Sequence, residues 1–184
     1  MAINPNVRYT YTDYINLEPY EVRRYELIDG EICVVPSPTP NHQRIAGKLY
    51  SMLDEYAESR DSGQVFIAPL DVVLSDEDVL QPDIIFIAKE RLGIVGEQNI
   101  QGAPDLVIEV LSPGTADRDR TIKRARYARF GVREYWLVEP ISKTIEVLKA
   151  SQEGFETMRI YPEGTYVESP VLSDLQLDVN SIFE

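Results

Sequence analysis

The chain has 184 residues, with 18 Lys and Arg against 31 Asp and Glu, so its net charge is −13, and 43% of its residues are hydrophobic. That length suits one domain with its own core, while the charge repels phosphate backbones at long range and speaks against a general nucleic-acid-binding module. No apolar run approaches the roughly 18 residues of a membrane span, the opening MAINPNVRYTYTDY lacks the basic start and apolar stretch of a secretory signal, and the single cysteine, Cys33, leaves neither an internal disulfide nor a multi-cysteine zinc site.

A cytoplasmic protein without a membrane anchor is therefore expected. RYELIDGEICVV (24–35) reads as a β-hairpin turning on Asp29 and Gly30. Pairing across that turn puts Tyr25, Leu27, Ile32 and Val34 on one face, and Glu26, Ile28, Glu31 and Cys33 on the other. SPTP follows as a loop. From Asn41 onward, His42, Ile45, Ala46, Leu49, Met52, Leu53 and Tyr56 recur at helical spacing, and the segment Asp61-Ser62-Gly63 stops the helix. QVFIAPLDVVL (64–74) and QPDIIFIA (81–88) are expected as strands, with the acidic SDEDV as a loop between them. KERLGIVGEQNIQG is expected as a short helix and loop, and APDLVIEVLSP (103–113) as the next strand.

DRDRTIKRARYARFG has acids in its first turn, bases further along and Gly131 as its stop, a charge order that suits the helix macrodipole. This concentration of bases allows local attraction to an anion even though the whole chain repels one. VREYWLVEP (132–140) is apolar on both faces, as a central strand is. TIEVLKA, ETMRIY and TYVES suggest a trailing antiparallel extension. The predicted fold is α/β, a mixed sheet with helices against it, in one domain over residues 1–184 with a core at about 24–140.

Two strands carry acids that need a physical reason. In VIEVL, alternation puts Asp105, Val107, Glu109 and Leu111 on one face, and Leu106, Ile108 and Val110 on the other. Glu109 thus sits among aliphatic side chains, where an ionised carboxylate costs several kcal/mol unless it is paired, protonated or bound to metal. Asp83 follows Pro82, which suits the first position of a strand and leaves the acid at the sheet's entrance. Two carboxylates on adjacent strands make the hard-oxygen site that Mg2+ or Mn2+ prefers. Such an ion polarises a phosphoryl oxygen, activates water and stabilises a departing alkoxide. Lys123, on the helix after the glutamate strand, offers a complementary cation. Each residue also has an ordinary role open to it. Pro-Asp forms turns, a buried glutamate is often satisfied by an arginine or the backbone, and a basic helix is commonly a solvated face. His42 packs or caps its helix as readily as it serves a site, and Glu26 and Glu31 suit an exposed hairpin face.

The Pro-Asp at one strand start and the acid in the next, 109 − 83 = 26 positions on, resemble the PD-(D/E)XK nuclease pattern. The α-β-β-β-α-β order from His42 to Glu139 is similar to the core of the restriction-endonuclease-like fold. YELIDGE, PSPTPNHQ, QPDIIFI, GAPDLVIEVLSP, the D-R-x-x-K of Asp119 to Lys123, and GVREYWLVEP resemble successive motifs of the Uma-type restriction endonuclease family, over roughly residues 24 to 140. The resemblance implies that Asp83 and Glu109 bind the metal, Mg2+ or Mn2+, and that the carbonyl of Val110 completes the coordination. The chain departs from the standard pattern at Leu111, two positions after Glu109, where a lysine normally stands. The resemblance implies that Lys123 supplies that lysine from the next helix. It also matches Glu26, Glu31 and His42 to family positions, where orienting a metal-bound water is one role.

The leading expectation is a metal-dependent endonuclease hydrolysing DNA phosphodiester bonds, with water activated near Lys123. The alternative is a nuclease fold retained as a binding or assembly module with little or no catalysis, which the net charge and Leu111 favour. Hydrolysis of a smaller phosphate ester is a third reading. Exposed strand edges and the apolar hairpin face suggest a homodimer.

Overall fold

The structure, a computed structural model, describes residues 7–17 and 24–184, so residues 1–6 of the opening stretch read above lie outside it. A short helix, α1 (Tyr11–Ile15), is closed by a capping box between Thr10 and Asp13. Asp29 and Gly30, at φ 53° and 74°, turn β1 (Arg24–Ile28) back onto β2 (Glu31–Val35). The predicted register holds, with Tyr25 opposite Val34 and Glu26 opposite Cys33. Helix α2 (Pro40–Arg60) starts on the Thr39 hydroxyl, which accepts from the His42 N–H, and ends at Asp61 in the left-handed region. Its buried stripe includes Ile45, Ala46, Leu49, Leu53 and Tyr56, as the spacing predicts.

The expected strand over 64–74 is two strands in different sheets. β3 (Gly63–Ile67) pairs with β6 (Ile84–Ala88). The chain then turns through the cis Ala68–Pro69 peptide, and β4 (Val72–Ser75) pairs with β5 (Asp78–Leu80). Pro69 has no N–H to give to a ladder, and because both halves are apolar, alternation alone did not mark the break. The acidic segment is no open loop either. Asp76 and Glu77 form the tip of the β4–β5 hairpin, and their carbonyls accept the Tyr11 and Gly30 N–H groups.

A 3-10 helix (Lys89–Ile94) and β7 (Ile100–Gln101) lead into β8 (Leu106–Val110). Next, α3 (Ala116–Arg118), a π-helical turn (Asp119–Lys123) and α4 (Arg124–Phe130) run as one helical segment that stops at Gly131. β9 (Glu134–Glu139) returns parallel to β8. β10 (Thr144–Ser151) and β11 (Gly154–Pro162) extend the sheet antiparallel, as expected. β12 (Tyr166–Val167), β13 (Leu177–Asp178) and helix α5 (Val179–Phe183) follow.

One sheet has six strands in the order β11-β10-β9-β8-β6-β3, and a second has five in the order β2-β1-β5-β4-β7. The six-stranded sheet is buried on both faces, which is why β6, β8 and β9 read as nearly continuous apolar runs. Ile84, Ile108 and Trp136 face α2 and the C-terminal segment. Ile85, Val107 and Tyr135 face the five-stranded sheet and Tyr127 of α4. Each such side chain contributes roughly 1.5–3 kcal/mol by leaving water, and together they fix the two sheets around the end of β8. Among the described residues no helix is long and apolar enough to cross a membrane.

Candidate active site

The antiparallel register of β6 and β8 brings the two acids together. Ile84 lies opposite Ile108, so the ladder continued by one step sets Asp83 against Glu109. The Val110 N–H donates to Asp83 Oδ2 at 2.8 Å and holds that carboxylate at the strand ends. His42, in the first turn of α2, places Nε2 3.1 Å from the same oxygen. From the hairpin, Glu26 Oε1 accepts the Gln81 N–H at 3.0 Å.

The helical segment supplies the cation. Lys123 Nζ lies 2.9 Å from Glu26 Oε1, 3.0 Å from Glu109 Oε1 and 3.4 Å from Asp119 Oδ1. The Tyr127 hydroxyl donates to Glu109 Oε1 at 2.9 Å. Asp119, Lys123 and Tyr127 are spaced four apart. On an α-helix a step of four overshoots the 3.6-residue turn, whereas in a π turn, with its i→i+5 bonds, it falls short. One π step followed by one α step nearly cancels, so all three side chains stay on the face that meets β8.

These groups line a cavity of about 220 Å³, whose rim is formed by residues 36–39 and 112–115. Its inner end is sealed, with Glu26, Asp119 and Lys123 side chains only 1%, 2% and 6% exposed. Its outer end is more open, with His42 and Asp83 at 12% and 14%. Among the described residues, the buried side-chain polar atoms without a hydrogen bond are His42 Nδ1, Gln81 Oε1 and Asp119 Oδ1, the last of which still faces the Lys123 ammonium at 3.4 Å. All three residues line this cavity. Buried polar atoms are normally satisfied, so their gathering at one place is what a ligand site displays.

Burial and crowding shift the titrations here. Burial pushes the Glu109 carboxyl well above the usual range; Lys123 opposes this, and the neighbouring acids Asp119, Asp83 and Glu26 add to it. Burial alone would lower Lys123, but Glu109, Glu26 and Asp119 outweigh it and hold the ammonium well above its ordinary value. Burial likewise pulls the His42 imidazole down, yet the hydrogen bond and charge of Asp83 leave it raised. Asp119 is raised, chiefly by burial, against the pull of Lys123.

Of the residues singled out in the sequence, Asp83, Glu109, Val110, Lys123, Glu26 and His42 all line the cavity. Glu31 does not: it sits at the turn end of β2, opposite Ile28, and is exposed. Leu111, at the standard lysine position, is buried in the apolar cluster between the sheets, and the Lys123 ammonium reaches Glu109 from the helix instead. Sequence reasoning gave no role to Gln81, Asp119 or Tyr127. The available signals were that Gln81 precedes the Pro-Asp pair, and that Asp119 and Tyr127 lie four residues to either side of Lys123.

Among the described residues no group of three or more His, Cys, Asp and Glu is arranged for a metal ion. The donor set at hand is two carboxylates and a backbone carbonyl, those of Asp83, Glu109 and Val110. This hard-oxygen set fits Mg2+ or Mn2+ better than zinc. Among the described residues, hydrogen bonds and ion pairs engage Oδ2 of Asp83 and Oε1 of Glu109, and none of them is to the second oxygen of either carboxylate.

The strand order and this grouping of acids with a lysine define a protein of the restriction-endonuclease-like fold. A model of the Uma2 family, described as "Putative restriction endonuclease", matches residues 11–180, and the chain belongs to that family. One relative, from Synechocystis sp. (strain ATCC 27184 / PCC 6803 / Kazusa), is 26% identical over 139 residues, which is 74% of this chain and 78% of the relative; it is described as uncharacterized protein sll1609. A crystal structure from Anabaena variabilis ATCC 29413, described as "a putative nuclease belonging to DUF820", shares the fold with a TM-score of 0.79. At 24% identity the match covers 95% of this chain and 97% of that one.

Proposed function

We propose that this protein is a metal-dependent endonuclease that hydrolyses phosphodiester bonds in DNA. The observation that carries the reading is the meeting of Asp83, Glu109 and Lys123, from two strands and a helix, in one cavity open at the Asp83 end. The description of the family as a restriction endonuclease supports DNA as the substrate. Asp83, Glu109 and the Val110 carbonyl would hold Mg2+ or Mn2+, which when bound polarises a phosphoryl oxygen and makes its bound water more acidic. The remaining work belongs to the side chains. Lys123, centred by Glu26 and Asp119 beside Glu109, offers positive charge where negative charge develops on attack. Tyr127 and Lys123 together fix the Glu109 carboxylate. His42 stands next to Asp83 at the open end, within reach of a proton from an entering water. The sealed inner end keeps bulk water away, which strengthens each of these interactions.

Cleavage of supercoiled plasmid in Mg2+ or Mn2+ tests the mechanism. The wild-type chain is expected to cut, and Asp83→Ala, Glu109→Ala and Lys123→Ala are each expected to slow cutting by about a hundredfold or more. Because Lys123 and Glu109 are buried, circular dichroism must show each variant folded. Cutting that survives all three substitutions rules the mechanism out.

A second reading, a nuclease fold that binds without catalysis, is favoured by the net charge of −13 and by a Lys123 ammonium already shared among three carboxylates. Calorimetric titration with Mn2+ separates the two. Absence of binding at millimolar Mn2+, together with absence of salt-dependent DNA binding, would favour this second reading.

A further inference from the structure

The arginines divide by what they touch. Among the described residues, every arginine but two meets a carboxylate, a backbone carbonyl, a side-chain oxygen or an aromatic ring, from Arg8 on Asp29 and Glu77 to Arg159 over Tyr161. The exceptions are Arg24 and Arg118, and both line the active-site cavity. Both are half-buried. In a chain with 31 acids, two half-buried guanidiniums that meet no carboxylate among the described residues are not a matter of scarcity. Four acids line the same cavity, yet each is turned to Lys123, His42 or the backbone.

Their positions are set by the hairpin. Arg24 lies two residues before Glu26 on β1 and therefore shares its face, and its charge bears on His42. Arg118 lies close enough to bear on Cys33, the cross-strand partner of Glu26. Both cations thus stand about the site face of the hairpin. The cavity rim also carries Ser112 and Thr115, whose hydroxyls are hydrogen-bonded to each other at 3.0 Å. Planar guanidinium forks suit a tetrahedral oxyanion, which offers enough acceptor oxygens for two forks at once.

We propose that Arg24 and Arg118 form a phosphate-binding subsite in the wall of the cavity, and that it grips the substrate strand by a phosphodiester next to the one that is cut. The identity of the strand rests on the nuclease reading above; the capture of phosphate does not.

Calorimetric titration of the full chain with inorganic phosphate, once in EDTA and once in Mg2+, tests the subsite. The wild type is expected to bind, Arg24→Ala and Arg118→Ala to weaken binding about tenfold each, and the double variant to lose it. Arg159→Ala, which removes a guanidinium stacked on Tyr161, is expected to bind like wild type. In parallel, a short DNA duplex is titrated in Ca2+ over a range of salt. Each arginine variant is expected to reduce the slope of log K against log salt by about one. A wild type that takes up no phosphate in either medium, or folded arginine variants that bind it equally well, overturns the subsite. Phosphate binding that depends on the arginines with unchanged duplex slopes overturns the strand assignment and points to a small phosphate ester. Phosphate capture without plasmid cutting defeats the nuclease reading alone, whereas cutting with arginine-independent phosphate binding defeats the subsite alone.

Discussion

Lys123 is the side chain on which the site's charges turn. Its ammonium is shared by Glu26, Glu109 and Asp119, all but sealed from solvent. Replacing it with methionine keeps volume and apolar stem but leaves three buried carboxylates with no cation, so Lys123→Met should cost about 3–5 kcal/mol at neutral pH. Tyr127→Phe removes only one hydroxyl from Glu109 Oε1 and should cost about 1 kcal/mol. Urea unfolding of the two variants checks the order, and a Lys123→Met variant as stable as Tyr127→Phe would show that the carboxylates do not depend on the lysine. Of these residues, Glu109 was the most legible in the sequence, because an acid inside an aliphatic alternation demands a partner. Glu31 misled because alternation gives a side chain's face but not its distance along the strand from the site. Asp119 read as an ordinary first-turn acid, since nothing in DRDRTIK announces the π turn that swings it inward. Arg24 and Arg118 carry no periodic signal at all; what sets them apart is that they meet no partner among the described residues, which only the folded chain reveals.

At the scale of elements, the sequence predicted the first hairpin with its Asp29-Gly30 turn, α2 with its stop at Asp61-Ser62-Gly63, and the β8–helix–β9 passage with its Gly131 stop. These features are local, set by turn chemistry, capping and period. The division of 64–74 between two sheets is not local, because it depends on which partner each half finds. Gly63, at the start of β3, shows how tightly one such partnership is packed. A Cβ there would collide with the Ile87 carbonyl oxygen and stand 2.8 Å from the Phe86 ring, both on the paired strand β6. Gly63→Ala should therefore cost about 1–3 kcal/mol through overpacking. At Gly47, inside α2, an added Cβ would meet nothing within 4 Å, so Gly47→Ala should be neutral or stabilise by up to about 1 kcal/mol. Thermal melts of the pair separate close strand packing from mere loss of glycine freedom. Similar losses for both would remove the packing argument for β3.

At the scale of the whole molecule, net charge and buried titrations push stability in the same direction with pH. Glu109 and Asp119 at the site, and Glu134, which is buried under Trp136, Ser169 and Val171 donors, all have raised carboxyls with burial as the leading cause. His42 is raised as well, because Asp83 outweighs its burial. Each of these groups binds its proton more tightly folded than unfolded. The stabilisation is complete below the unfolded values, 3.8 for Asp119, 4.5 for Glu109 and Glu134 and 6.5 for His42, and is lost as pH rises through the raised folded values. Asp13 and Asp29 are lowered and act oppositely, but their contribution is lost only in strongly acidic solution, as pH falls from 3.8 through the lowered values. With a net charge of −13 at pH 7, self-repulsion also grows as pH rises. The Tm in EDTA should therefore be higher near about pH 6 than near about pH 8.5. His42→Ala should flatten the part of that fall above its ordinary pKa. If Glu109, whose carboxyl is raised, helps to hold Mg2+, the ion should raise Tm more at the alkaline end, where protons no longer compete for it. Melts across that range with and without Mg2+ read both effects. A metal-free profile that is flat or rises with pH would contradict the buried titrations, and a Mg2+ effect that does not grow with pH would count against Glu109 as its ligand.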